Sequence, residues 1–169
     1  DIETTSFYRD EDGETYSYER YIKLGGKETK MEKCSLMYVW QFGINGFCIM
    51  GRTWDEFLQM LSEMADILEL CPKKRIIIYV HNLAYEFQFF RELLEWEKVF
   101  SIDLRKPIYG ITKTGLEFRC SYLLSGYSLA KLGEQLHTYK CEKLVGDLDY
   151  SLLRHSKTPL TQKEIGYCL

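Results

Sequence analysis

No stretch of the 169 residues approaches the roughly 18 consecutive apolar residues that a membrane span needs, and no signal-peptide pattern opens the chain. No membrane is therefore expected among its partners, and the expected compartment is the cytoplasm. Paired cysteines are missing as well. The six cysteines stand at 34, 48, 71, 120, 141 and 168, none forms a Cys-x-x-Cys pair, and no histidine accompanies one at zinc spacing. They read as reduced, mostly buried thiols. Histidine is scarce: His81, His137 and His155 are scattered singly, which argues against a histidine-built metal centre. There are no internal repeats and no low-complexity tracts.

An excess of positive charge is also lacking. The net charge is −3, which taken alone argues against a nucleic-acid partner. Its distribution is uneven: residues 1–69 hold 7 Lys/Arg against 14 Asp/Glu, and residues 70–169 hold 15 against 11. An acidic metal-binding side and a more basic strand-tracking side would give this asymmetry. So would ordinary surface variation. Hydrophobic content of 46% and aromatic content of 15% fit one globular domain over 1–169. The chain opens at Asp1 without a methionine and is expected to be a piece of a longer protein.

Residues 6–33 are polar and Tyr-rich, with Asp12-Gly13 and Gly25-Gly26 as turn signals, and read as a strand-poor insertion or loose hairpin. Leu36–Ile44, then Asn45-Gly46, then Phe47–Met50 predicts a tight hairpin. Thr53-Trp54-Asp55-Glu56 has capping-box spacing and predicts a helix with Phe57, Met60, Leu61, Met64, Ile67 and Leu68 as its apolar stripe, ended by Cys71-Pro72. Arg75–Val80 is a continuous apolar run that predicts a central buried strand. A helix through about Trp96 is expected next, then a strand over Val99–Leu104, a hairpin around Lys113-Thr114-Gly115, and a strand over Leu116–Tyr122. Short helices are predicted over Ser128–Leu136 and from Thr161, which has Glu164 at capping-box spacing. This order fits an α/β domain with a mixed central sheet.

Three short motifs carry chemistry. Asp1-Ile2-Glu3 precedes Thr4-Thr5; on a strand, residues two apart share a face, so two carboxylates would sit side by side. Like charges that close repel unless cations share the site, and all-oxygen ligands favour Mg2+ or Mn2+. His81-Asn82-Leu83-Ala84-Tyr85-Glu86-Phe87 follows the apolar run, where open α/β sheets place ligands. Each member has a plainer role available: Glu86 as an acid at a helix start, Asn82 as a turn residue or helix cap, Tyr85 as packing. The third is Tyr167, near the last residue.

In this order the three resemble the exonuclease motifs of family B DNA polymerases, above all the protein-primed DNA polymerases of phages and linear plasmids. The resemblance runs over nearly the whole chain. Ser128-Leu129-Ala130-Lys131-Leu132 is similar to that subfamily's Ser/Thr-Leu-x-x-hydrophobic motif, and Val145–Tyr150 to the segment carrying its Lys-x-x-hydrophobic motif. The resemblance implies a ribonuclease-H-like (DEDDy exonuclease) fold with flanking helices and a 3′→5′ proofreading exonuclease using two Mg2+ or Mn2+ ions. It implies Asp1, Glu3 and Glu86 as metal-binding carboxylates and Tyr167 as the residue that positions the attacking water. It places Thr4, Asn82, Tyr85, Phe89, Ser128, Leu129 and Tyr150 at or near the single-stranded DNA 3′ end. Implied partners are that strand, the polymerase domain of the same parent chain and a terminal protein; the implied setting is the cytoplasm of a bacterial host.

The sequence departs from the family pattern at three points. The Asp of Tyr-x-x-x-Asp would fall at position 171, past Leu169. Glu86 stands where the family commonly has Asp. The motif lysine aligns with Val145, and Lys143, two residues away, is its candidate substitute; a solvated lysine is the plainer reading. The residue types suit the chemistry independently. Phosphodiester hydrolysis needs an activated water and charge relief, which two metals about 3.5–4 Å apart supply. A lysine can offset oxyanion charge, and aromatics such as Tyr85, Phe89 and Tyr150 can stack bases without sequence preference. Two other readings stay open: a stand-alone exonuclease of the same type, and a module that grips single strands or a terminal protein without cutting.

Overall fold

The computed structural model describes residues 1–136 and 152–169. Along the chain run β1 (Ile2–Arg9), β2 (Thr15–Tyr16), α1 (Tyr18–Lys23), β3 (Glu32–Ile44), β4 (Phe47–Gly51), α2 (Trp54–Ile67), β5 (Ile76–Val80), α3 (Leu83–Phe90), β6 (Trp96–Ser101), β7 (Pro107–Thr112), β8 (Leu116–Cys120), α4 (Ser121–Ser125), α5 (Leu129–Gln135) and α6 (Gln162–Cys168). They fall into two compact units. One is Asp1 with Leu58–Val145, and the other is Ile2–Phe57 with Gly146–Leu169. No helix among the described residues is long and apolar enough to cross a membrane.

The unit holding the first strand is built on an antiparallel sheet in the order β2-β1-β3-β4. Asn45 and Gly46 both take positive φ (49° and 82°), the backbone a two-residue hairpin turn requires, so the expected β3–β4 hairpin forms. Residues 6–33 hold more strand than their polarity predicts: β1 runs on to Arg9, turns at Gly13, and returns as β2. Met37, Tyr38, Val39 and Trp40 of β3 are all buried. The Trp40 indole lies over Gly51, where an added Cβ would stand 2.3 Å from the ring, and its Nε1 donates to the Thr53 carbonyl at 2.9 Å. Thr53 and Glu56 form the predicted reciprocal cap at the start of α2.

The other unit carries a mixed sheet, β5-β8-β7-β6, in which β5 and β8 run parallel and the remaining pairs antiparallel. The α/β class with a mixed sheet is thus as expected, but β1 and β5 belong to different sheets rather than to one central sheet. Leu116, Phe118 and Cys120 alternate inward on β8, and Phe118 meets Phe90 and Trp96 in an aromatic cluster. Gly115 takes φ +92°, and a Cβ there would stand 2.5 Å from the Cys71 carbonyl oxygen, so this turn accepts only glycine.

The structure differs from the sequence reading at several places: the strand expected over Val99–Leu104 is β6 over Trp96–Ser101, and the strand expected over Leu116–Tyr122 ends at Cys120, where α4 begins. Helix α2 stops at Ile67, well before Pro72: Glu69 adopts φ 50°, and the Leu70 and Glu69 amides donate to the Ala65 and Asp66 carbonyls, a Schellman close. Ile67 and Leu68, read as core, are exposed. The Arg75–Val80 run forms an edge strand of its sheet, not a central one, with Ile77 and Tyr79 exposed; β-branched residues satisfy an edge as well as a centre. The helix expected through Trp96 ends at Phe90, and Trp96 opens strand β6, because its ring packs on Phe87 and its Nε1 donates to the Arg91 carbonyl at 2.7 Å.

Candidate active site

Helix α3 divides its side chains among separate stripes, as a step of about 100° per residue requires. Leu83, Glu86 and Phe90, spaced three and four apart, are the buried stripe. A carboxylate therefore occupies an apolar row. Glu86 is 5% exposed, and its Oε2 has no hydrogen-bond partner among the described residues. Burial pushes its carboxyl above the ordinary range, partly offset by its own backbone amide and by the positive α-amino group of Asp1. An acid that merely complements a helix start needs no burial. An orphaned anionic oxygen is the kind of atom a cation satisfies, so Glu86 fits the divalent ion the resemblance implies. Asp1 itself is exposed and precedes β1.

Asn82 precedes α3 with φ 67° and makes no side-chain cap, so of its two plain roles it fills that of a turn residue, in the left-handed backbone that asparagine tolerates. It is exposed, at the carboxyl end of β5. Tyr85 and Phe89 form the aromatic stripe of α3, with ring centroids 5.4 Å apart and Tyr85 41% exposed. His81 Nδ1 lies 3.1 Å from Ser121 Oγ, and its ring meets Tyr122 edge-on. Ser128 is the N-cap of α5, accepting from the Lys131 amide at 3.3 Å, and Leu129 beside it is exposed. Lys143 and Tyr150 lie outside the described residues.

In the antiparallel unit, Glu3 is buried on β1 beside a bulge between Glu3 and Thr4, a device that re-aims side chains. Thr4 is half-buried next to it. The negative charge of Glu3 reaches two neighbours. Burial raises the Tyr38 phenol, Arg154 opposes this, and Glu3 raises it further. Burial likewise raises the Cys168 thiol, a Gln41 hydrogen bond opposes it, and Glu3 adds to the rise. Tyr167 packs against the Tyr38–Val39–Cys168 core. Glu3 and Tyr167 thus share the surroundings of Tyr38 and Cys168.

Arg154 organises this region, and nothing in its sequence neighbourhood marks it. It is 5% exposed, pairs with Glu164 of α6 at 2.5 Å, and lies over the Tyr38 ring 5.5 Å from its centroid. Its amide donates to Thr5 Oγ1, which donates to the Leu152 carbonyl at 2.9 Å. The α6 cap predicted from Thr161 and Glu164 is present. A buried arginine tied to β1, β3 and α6 explains why the last helix sits where it does.

Among the described residues, no three of His, Cys, Asp or Glu gather closely enough to hold a metal ion by themselves. Comparison with family models, curated proteins and solved structures finds nothing that matches this chain.

Proposed function

We propose that this chain is a metal-dependent 3′→5′ exonuclease acting on single-stranded DNA, the proofreading domain of a protein-primed family B DNA polymerase with a ribonuclease-H-like fold. The observation that carries the reading is Glu86. A carboxylate whose buried Oε2 has no donor, in the first turn after the strand end, is costly unless a cation uses it. The ordered motifs around it supply the reaction class. Mg2+ or Mn2+ would supply an activated water and charge relief on the phosphoryl oxygens. Asp1, Glu3 and Glu86 are the carboxylates that would hold it. The Tyr167 hydroxyl orients the water, and Lys143 offsets the charge on the departing oxygen. Tyr85, Phe89 and Tyr150 stack the terminal bases, with Thr4, Asn82, Ser128 and Leu129 along the strand. The polymerase domain of the parent chain and a terminal protein are the further partners, in the cytoplasm of a bacterial host.

A second reading, a module that grips single strands without cutting, is favoured by the lack of three gathered metal ligands among the described residues. One assay separates the two: release of nucleotides from a 3′-labelled oligonucleotide with Mg2+ or Mn2+, using this chain and a form extended past Leu169 to take in position 171. The exonuclease reading expects the extended form to shorten the strand from its 3′ end, and Glu3→Gln or Glu86→Gln to slow it by about 10²-fold or more while strand binding persists. An extended form that binds the oligonucleotide yet is inert with both metals establishes the binding module instead.

A further inference from the structure

The turn between β6 and β7 and one face of α3 enclose a pocket of about 230 Å³ that the exonuclease reading does not use. Its polar lining is Gln88, Arg91, Ser101 and Arg105, with Phe87 and Pro107 among its apolar walls, and no Asp or Glu lines it. The acid nearest in sequence to Arg105 is already engaged. Asp103 pairs with Lys106 at 3.1 Å and accepts the Arg105 amide at 3.0 Å. Arg91 bonds Glu92 at 3.1 Å, but both side chains are largely exposed, and such a pair exchanges readily for a better anion. Two arginines therefore line a small space that no carboxylate lines.

The pocket shares α3 with the aromatic pair and with Glu86. Ala84, Gln88 and Arg91, spaced four and three apart, line it. At about 100° per residue, the Tyr85–Phe89 stripe flanks this row on one side of the helix and the buried row of Glu86 flanks it on the other. A guanidinium is a planar fork that matches a phosphate with two hydrogen bonds. We propose that this pocket binds the phosphodiester backbone of a single DNA strand on the 5′ side of the nucleotide at Glu86, with Arg91 and Arg105 as its two phosphate contacts. The direction of the strand rests on the exonuclease reading; the phosphate chemistry rests on the pocket.

The test is binding of a fluorescent oligothymidylate of about 12 nucleotides, within the span of single-strand grooves, followed by anisotropy in EDTA so that nothing is cleaved. Salt is titrated for the wild-type chain, the double variant Arg91→Gln/Arg105→Gln, the fork-removing double variant Arg91→Lys/Arg105→Lys, and Lys27→Ala as a cation that does not line the pocket. Losing two phosphate contacts should flatten the log-affinity against log-salt slope by about 1.4, at about 0.7 per contact. The lysine pair should keep the slope and bind more weakly, which holds the test open if the glutamine pair fails to fold. A wild-type chain that binds, with a folded glutamine pair of unchanged slope, overturns the pocket and leaves the exonuclease reading standing. Flattening by about 0.7 in Lys27→Ala, the same per charge removed, also overturns it, because the effect is then general charge. A wild-type chain that binds no oligonucleotide overturns both readings.

Discussion

Burial holds the Glu86 carboxyl above its ordinary value of 4.5, and the sign of this has a thermodynamic consequence. The folded state holds that proton more tightly than the unfolded chain does, so the stability Glu86 confers is fully present below about pH 4.5. It is lost as pH rises through the folded value. Glu86→Gln should therefore melt higher than wild type at pH 7, by about 2–4 °C, and no higher at pH 4, as thermal scans at the two values would establish. Equal melting at both would mean that the carboxylate already has a partner. At the same scale, Tyr85→Ala should weaken single-strand binding by about 1–3 kcal/mol, with less effect on duplex. Unchanged single-strand affinity in a folded Tyr85→Ala chain would remove the stacking role.

Among the elements, the β7–β8 turn is the most sharply constrained. Gly115→Ala would place a side chain at positive φ, costing about 1–2 kcal/mol, and would drive it into the Cys71 backbone, adding about 1–3 kcal/mol. Denaturant melts should lose about 2–5 kcal/mol, and a loss under 1 kcal/mol would mean that the Cys71–Lys74 turn gives way freely. Elements with local grammar were legible in the sequence. The Asn45-Gly46 hairpin and the caps at Thr53 and Thr161 involve residues no more than a few positions apart, and all three form. What depends on distant partners was not legible. The apolar run before His81 does not reveal whether one or two neighbours will flank it, and Trp96 reads equally well as helix or strand until Phe87 and Phe118 are in place. The same limit applies to the site. Motif spacing singled out Glu86 and Asn82 as candidates, but the burial of Glu86 and the tie from Arg154 to Glu164 come from tertiary packing.

For the molecule as a whole, the charge asymmetry along the sequence does not follow the units. Asp1 with residues 58–145 holds 12 Lys/Arg and 12 Asp/Glu, and the other unit holds 10 and 13. Neither is a basic body, so neither carries a net positive charge that would draw a polyanion from a distance. Acid behaviour is also a property of the whole chain. The Asp10 carboxyl is lowered first by Tyr16, Glu56 by the Arg52 amide, Asp103 by the Arg105 amide and Glu164 by the Thr161 amide. Each contributes stability that is present above its unfolded value, near 3.8 for the aspartates and 4.5 for the glutamates, and is lost as pH falls through its lower folded value. The melting temperature should thus decline steadily below about pH 4.5. A flat profile down to pH 3 would mean that these hydrogen bonds do not persist in solution.

Helix α3 is only eight residues long, yet one row of it is buried, the next lines a pocket and the third displays a pair of rings. It has little idle circumference. A single residue inserted after Asn82 would rotate everything that follows by about 100°, trading the rows for one another all at once. Substitutions along this helix alter one row at a time, whereas a one-codon insertion displaces all three together. A gene under selection should therefore accept changes of letter here far more readily than changes of length.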